Sequence, residues 1–311
     1  MFKRVLIRTF SVLAAATFGM AAGVLPAARA DILLPTPDQS DVIRIELNGY
    51  EQLEKLFEDL GYTAERWNAG ERTVPRLFLQ TIPTRWRDEL ADQLTVEAKK
   101  RTFFRTLGPL TLLANEEIAL QQRALREAID NNDSDIIAEL AKQYRVETAP
   151  DDPTTIAELE KRIAPVPASL AMAQMAIESG WGTSRFAALG NALFGQWTYG
   201  DDGITPKEQR SHLGDYKIAA FDTPFGSVRA YMKNLNTGSA YQEFRDKRAK
   251  MIANEEPLSG TALAETLTRY SERGEEYIKD VKAVIRQNNL GHADDAVLDD
   301  GPYYYLIPTG D

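Results

Sequence analysis

Residues 165–189 read PVPASLAMAQMAIESGWGTSRFAAL, and the fold turns on how they are read. Pro167 suits the first turn of a helix, where a missing N–H costs nothing. Leu170, Met172, Met175, Ala176 and Ile177 leave that helix apolar over most of its surface, so it is expected to be central and buried. Glu178 then stands at its end, before Ser179, Gly180, Trp181 and Gly182. A carboxyl is rarely buried without a partner. Two readings fit: Glu178 anchors a turn through backbone amides, or it is a proton donor held in a cleft. Desolvation raises a carboxyl's pKa and makes it a usable general acid at physiological pH. Gly180 and Gly182 bring no side chain to block a ligand and let the backbone turn sharply. Trp181, Trp197 and Tyr199 offer flat apolar faces of the kind on which sugar rings pack.

Outward from this helix, the N-terminal side is mostly helical. The stretch 148–163, TAPDDPTTIAELEKRI, marks a loop followed by a helix, with Thr154 or Thr155 as the expected cap. Residues 73–144 are read as almost all helix, with Pro109 expected to kink the long run or divide it in two. Residues 115–129 mix Glu, Gln and Arg with apolar residues and read as a half-solvated helix. Residues 50–62 carry helical spacing that stops near Gly61. Residues 31–48 read as an extended arm with an edge strand at 42–47. On the other side, 191–221 is rich in Gly, Asp and aromatics and reads as a loop or short irregular hairpin. Residues 223–253 and 260–290 return to helical periodicity, and Tyr303, Tyr304 and Tyr305 are expected to form a strand or dock on the core.

Residues 1–30 have the order of a secretory signal peptide: Lys3, Arg4 and Arg8, an apolar stretch, then Ala28-Arg29-Ala30. Its loss would take four basic residues and no acidic one, moving the formal charge from −10 to −14. Such a balance argues against a nucleic-acid partner. No later segment is apolar over the ~20 residues that a membrane span needs, so no stable span is expected after cleavage. There is no cysteine, hence no disulfide framework and no thiolate chemistry. The two histidines, His212 and His292, lie far apart without ligand spacing, so neither a metal nor another cofactor is expected.

MAIESGWGTSRFAALGNALFG, residues 175–195, resembles the signature of glycoside hydrolase family 73 glucosaminidases: Glu-Ser-Gly-Trp-Gly closing a helix, then an Asn-x-Leu-Phe-Gly turn at Asn191–Gly195. FDTPFGSVRAYMKNL resembles the family's next segment, with Phe221 at an aromatic position and Tyr231 closing it. TRYSERGEEYIKDV falls where the family places a helix bearing two tyrosines, here Tyr270 and Tyr277. With VPRLFLQTIP and GPLTLLANEEI upstream, the pattern is similar to the Bax-type bacterial members.

The resemblance implies a mainly α (α+β) chain: a lysozyme-like helical catalytic domain with a small irregular hairpin lobe, preceded by a helical N-terminal region. The divisions expected are a signal peptide at 1–30, the N-terminal region at 31–150 as a cover or partner surface, the catalytic domain at 151–292 and a tail at 293–311. It further implies cleavage of the β-1,4 bond after N-acetylglucosamine in peptidoglycan glycan strands, in the periplasm, with Glu178 as general acid. A second carboxylate belongs on the hairpin, where Glu208 is the position chosen, against its reading as a solvated loop residue. An inverting enzyme needs that base, whereas a substrate-assisted route uses the sugar's acetamido oxygen. The substrate-binding set is Trp181, Asn191, Phe194, Trp197, Phe221, Tyr231, Tyr270 and Tyr277. Asn191 either stabilises its turn or binds an acetamido group. Phe194, Phe221 and Tyr231 divide between core and sugar contact, while Trp197, Tyr270 and Tyr277 lean towards the cleft. Arg273 meets a muramic carboxylate or forms a surface ion pair. Two competing readings are a lytic transglycosylase, with one Glu as acid and base, and a non-catalytic cell-wall binding or scaffold protein. The sequence points to no protein partner.

Overall fold

A computed structural model of the chain describes residues 41–200, 203–207 and 215–310. The leader, the start of the arm, Glu208 and His212 lie outside the described residues. The chain enters as strand β1 (Val42–Leu47), then helices α1 (Tyr50–Asp59) and α2 (Ala64–Asn68) and the short strands β2 (Thr73–Val74) and β3 (Leu77–Leu79). A π-helical turn (Trp86–Leu90) and α3 (Ala91–Gln93) lead into α4 (Val96–Asp130), followed by α5 (Ser134–Gln143) and α6 (Pro153–Arg162). The buried helix α7 (Ala168–Glu178) and α8 (Arg185–Gly190) precede a small lobe of β4 (Trp197–Thr198), β5 (Gly203–Ile204) and β6 (Lys217–Ala219). The rest is α9 (Pro224–Thr237), α10 (Gln242–Ala253), α11 (Gly260–Ala264), α12 (Glu275–Gln287), a 3₁₀ segment (Leu290–Asp295), β7 (Val297–Leu298) and β8 (Tyr303–Pro308). This is a mainly helical, lysozyme-like architecture with small sheets.

Helix α7 is the centre of the molecule. Every side chain from Ala168 to Ala176 is buried, because its alanines, Ser169 and the flexible methionines let α4, α11, α12 and the 3₁₀ segment approach on all sides. Two of these approaches need glycine. A Cβ on Gly108 of α4 would sit 3.0 Å from Met172 Cε, and one on Gly260 would sit 2.6 Å from the Leu170 backbone nitrogen. Pro167 is the residue just before α7 and has no capping side chain. Asp294, far along the chain, does that work: its carboxylate accepts from Ser169 N (2.8 Å), Ser169 Oγ (2.7 Å) and Gly260 N (3.1 Å).

Two local expectations are sharpened. Of the two outcomes expected at Pro109, division of the helix is overturned: α4 runs unbroken through it for 35 residues. Proline removes one backbone donor, but Leu107, Leu110 and Leu113 are buried on both sides of it, and Thr111 Oγ1 bonds the Gly108 carbonyl at 2.7 Å. Packing there outweighs the local cost of the ring. The cap of α6 is neither threonine. Asp152 accepts from Thr154 N (2.8 Å), Pro153 takes the first helical position, and Thr155 is buried with its hydroxyl on Ala149 O (2.6 Å). The region 73–144 is also less helical than its periodicity predicts, since it contributes β2 and β3.

The tyrosine-rich tail is a strand, and a central one. β8 runs between β1 and β3, parallel to both, with Ile45 and Leu79 opposite Leu306. β2 pairs with β7, and β4 and β5 flank β6 antiparallel, forming the small lobe after α8. One buried core extends through Phe103, Leu107 and Leu110 of α4, Leu170 and Met175 of α7, Val228 and Tyr231 of α9 and Leu306 of β8. The described residues form one compact unit.

Candidate active site

The turn that ends α7 uses three successive left-handed residues: Gly180 (φ +57°), Trp181 (φ +61°) and Gly182 (φ +76°). Glycine adopts this conformation freely, while a bulky residue there is strained. What holds Trp181 is packing. Its ring meets Phe103 and Phe104 edge-on at 5.7 and 5.3 Å, Lys100 lies over its face, and its carbonyl accepts from Trp86 Nε1 at 2.9 Å. Gly182 passes so close to Trp86 that a Cβ would sit 3.1 Å from Nε1. Ser179 is fully buried, donating from Oγ to Met175 O (2.6 Å) and accepting from Gly182 N (2.8 Å). The Ser-Gly-Trp-Gly run therefore bolts the end of α7 to α4, which leaves Glu178 free to face elsewhere.

Glu178 is half-buried among phenols. The Tyr277 hydroxyl of α12 lies near enough to influence its carboxyl. One turn back on α7, Gln174 Nε2 donates to the Tyr277 hydroxyl at 2.8 Å, and its Oε1 accepts from Tyr231 of α9 at 2.6 Å. Tyr270 stacks on Tyr277 with centroids 5.5 Å apart and meets Tyr231 edge-on at 6.4 Å, and Tyr241 adjoins it at 6.1 Å. Phe194 stacks on Tyr231 at 3.9 Å. On another side the Gly195 backbone (φ +60°) comes so near that a Cβ there would lie 3.9 Å from Glu178 Oε2. Burial pushes the Glu178 carboxyl above its ordinary pKa, against the opposing influence of the Tyr277 hydroxyl and the Arg273 charge. Burial likewise pushes the Tyr231, Tyr241, Tyr270 and Tyr277 phenols upward, so they remain neutral donors.

The structure thus gathers Glu178, Phe194, Tyr231, Tyr270 and Tyr277 at one place, while Trp181, Asn191 and Phe221 are engaged in holding the surrounding elements together. Trp181 is held by α4. Asn191 caps α8 in the left-handed conformation (φ +51°), and its amide is wholly engaged within the protein. Oδ1 accepts from Thr81 Oγ1 (3.1 Å) and Ile82 N (2.9 Å), and Nδ2 donates to Phe221 O (3.0 Å) and Asp222 O (3.1 Å). Asn191 clamps three segments. Phe221 serves that clamp through its backbone and also donates its N–H to Gly190 O. Trp197 lies on the small lobe, 48% exposed and stacked on Tyr216 at 4.5 Å, with Tyr199 nearby in sequence 72% exposed. Arg273 pairs with Asp280 at 2.7 Å and also adds its charge near Glu178.

Three contributors escaped the sequence reading. Gln174 had a visible signal, since it is the one polar side chain in mid-helix and stands four residues before Glu178, on the same face. Gly195 was visible only as the last residue of the Asn-x-Leu-Phe-Gly turn, and neither it nor Tyr241 carried any sign of its approach to Glu178, which the tertiary fold creates. Among the described residues no group of His, Cys, Asp and Glu side chains is placed to hold a metal ion.

A half-buried carboxyl with a raised pKa, beside tyrosines in a lysozyme-like fold, is an arrangement suited to glycosidase chemistry. Residues 154–290 match the glucosaminidase family, described as mannosyl-glycoprotein endo-beta-N-acetylglucosaminidase. Protein bax of Escherichia coli (strain K12) is 28% identical over 211 residues, covering 61% of this chain and 70% of that protein. The chain is thus similar to the glucosaminidase family over residues 154–290 and, over part of its length, to Protein bax. No solved structure matches it significantly.

Proposed function

We propose that the chain is an exported peptidoglycan hydrolase that cleaves the β-1,4 bond after N-acetylglucosamine, with Glu178 as the general acid. The observation that carries this reading is the placement of Glu178: half-buried at the end of α7, its pKa raised by desolvation, and faced by the side-chain-free Gly195. A protonated Glu178 delivers its proton to the glycosidic oxygen as the bond to the anomeric carbon breaks, a contribution typically of about 10²–10⁴-fold in rate. Trp197 and Tyr199 present exposed rings on the small lobe as surfaces for neighbouring sugars. The partner of Glu178 is either Glu208, which lies outside the described residues, or the substrate's acetamido oxygen. Export follows from the leader-like residues 1–30, with action in the periplasm.

A lytic transglycosylase is the second reading, because Arg273 is the one charged group that perturbs Glu178 among the described residues and that chemistry uses a single carboxyl as acid and base. Products separate the two. Mass spectrometry of purified sacculi digested by the protein is expected to show reducing N-acetylglucosamine ends that Glu178→Gln does not release. Anhydro-muramic ends would assign the protein to the transglycosylases. Digestion by Glu178→Gln at the wild-type rate would overturn the role of Glu178.

A further inference from the structure

A cavity of about 730 Å³ opens beside α7, a volume in the range that small ligands and short peptides occupy. Ala168 and Met172 of α7 line it. Met172 stands roughly 200° round the helix from Gln174, which shares the face of Glu178, so the cavity lies on the other side of α7 from that carboxyl. Its remaining walls come from α2, from one face of α4 and from the segment that joins α12 to the 3₁₀ turn. One end approaches the turn after Glu178, because Lys100 and Phe104 line the cavity and also hold the Trp181 ring.

Three kinds of group face this space. Trp67, Phe104 and Leu290 supply an apolar wall. Lys100, Arg101 and Arg105 of α4 supply positive charge. The two guanidiniums share one carboxylate, Glu54, at 3.5 and 3.4 Å, and the exposed Glu65 adds its charge on the same side. The half-buried Lys100 enters no ion pair among the described residues and lies over the Trp181 ring at 5.1 Å. Glu97 is the one carboxylate in the lining, and it is exposed at the rim. In a chain of formal charge −10 this is a local excess of cations. The third kind is amide: Asn68, Gln287 and Asn289 are exposed at the mouth.

We propose that this cavity binds a short peptide with a free carboxylate, and that the peptide is the one attached to the glycan strands of peptidoglycan. The source of the peptide rests on the function proposed above. The carboxylate pairs with Lys100 in a charge-assisted contact, helped by Arg101, which is 41% exposed and able to turn towards it. The apolar wall takes the methyl and methylene groups of the peptide. The amides at the mouth each offer a donor and an acceptor, which match a peptide backbone and give nothing to the chain of a fatty acid. The site is separate from Glu178, so it selects strands that keep their peptides and takes no part in bond cleavage.

The test is binding to the full chain, read by isothermal titration calorimetry and by amide NMR shifts. The probe is the free stem tetrapeptide prepared from purified sacculi. Its controls are the same peptide with its carboxylates amidated, an N-acetylglucosamine tetramer, and decanoate. The tetrapeptide is expected to bind with a dissociation constant below about 1 mM, to shift the amides of Trp67, Phe104 and Leu290, and to weaken as salt is raised. Lys100→Met keeps an apolar chain over Trp181 and removes the charge, and a loss of about tenfold in affinity is expected. Ala64→Trp alters an exposed residue of the lining, keeps every cation, and is expected to weaken binding at least as far by obstruction. Equal affinity for the amidated peptide would overturn the proposal, as would unchanged affinity in both variants. Decanoate binding as tightly as the peptide would make this an acyl-chain site, and the same lining shifts with the sugar tetramer would make it a glycan site; either result overturns the proposal. Digestion of sacculi by a protein that does not bind the tetrapeptide leaves the general-acid reading standing and removes this one. Tetrapeptide binding by a protein that leaves sacculi intact keeps the site and removes the hydrolase reading.

Discussion

Glu178 is subject to opposing influences, since burial raises its pKa while the nearby Tyr277 hydroxyl and Arg273 lower it, and burial wins. The sign has two consequences. As a general acid Glu178 must be protonated, so the rate is expected to fall as pH rises through the raised value. For stability, a carboxyl whose folded pKa exceeds its unfolded value favours folding below the unfolded pKa, and that advantage is lost as pH rises through the folded one. Glu178→Gln is therefore expected to gain in melting temperature relative to wild type as pH rises from the ordinary carboxylate value through the raised one, which scanning calorimetry over a pH series checks. Asn191 behaves otherwise. Asn191→Ala strips partners from Ile82 N, Phe221 O and Asp222 O and leaves alanine at φ +51°, and a loss of about 3 kcal/mol is expected in urea unfolding. Glu178 was legible in the sequence because a carboxyl ending an apolar helix is conspicuous. The clamp at Asn191 was not, because two of its partners lie 110 and 109 residues away.

Helix α7 shows why an element's environment outruns its pattern. Its residue types announced burial on all sides, and the structure agrees. They did not announce which neighbours would come closest. Gly260 of α11 meets the Ser169 and Leu170 positions so tightly that a Cβ would fall 2.1 Å from Ser169 Oγ and 2.6 Å from Leu170 N. Gly260→Ala must displace backbone as well as side chain, and a loss of about 2–3 kcal/mol is expected by chemical denaturation. Retention of wild-type stability would mean that α11 slides on α7 at little cost. The same limit governs Pro109 and Asp152. Proline's local rule is weighed against buried leucines that sequence spacing shows only as periodic, and the cap of α6 was missed by choosing threonine two residues late.

On the scale of the whole molecule, the first and last described strands share one sheet, with β8 between β1 and β3. Leu306 at its centre is fully buried. Deleting residues 299–311 would leave β1 and β3 without their shared partner and expose the core beneath Leu306. Loss of the cooperative unfolding transition is expected, measured by far-ultraviolet circular dichroism against temperature. The same reasoning applies to residues 151–292 expressed alone. Phe103, Leu107 and Leu110 of α4 belong to the core that covers α7, and Phe103 and Phe104 hold the Trp181 turn. That fragment is expected to show poorly dispersed amide resonances, since the Glu178 turn has lost the helix to which it is fastened. A well-dispersed spectrum would make α4 a detachable cover.

By itself the sequence determined the mainly helical class, the central apolar helix and the carboxyl at its end, because periodicity, glycine and an isolated charge are local properties of the chain. The tertiary structure alone decided which partners that carboxyl has. Tyr231, Tyr277, Gly195 and Gln174 come from three helices and a turn, and their hydrogen-bond directions follow from three-dimensional proximity, which no spacing along the chain encodes.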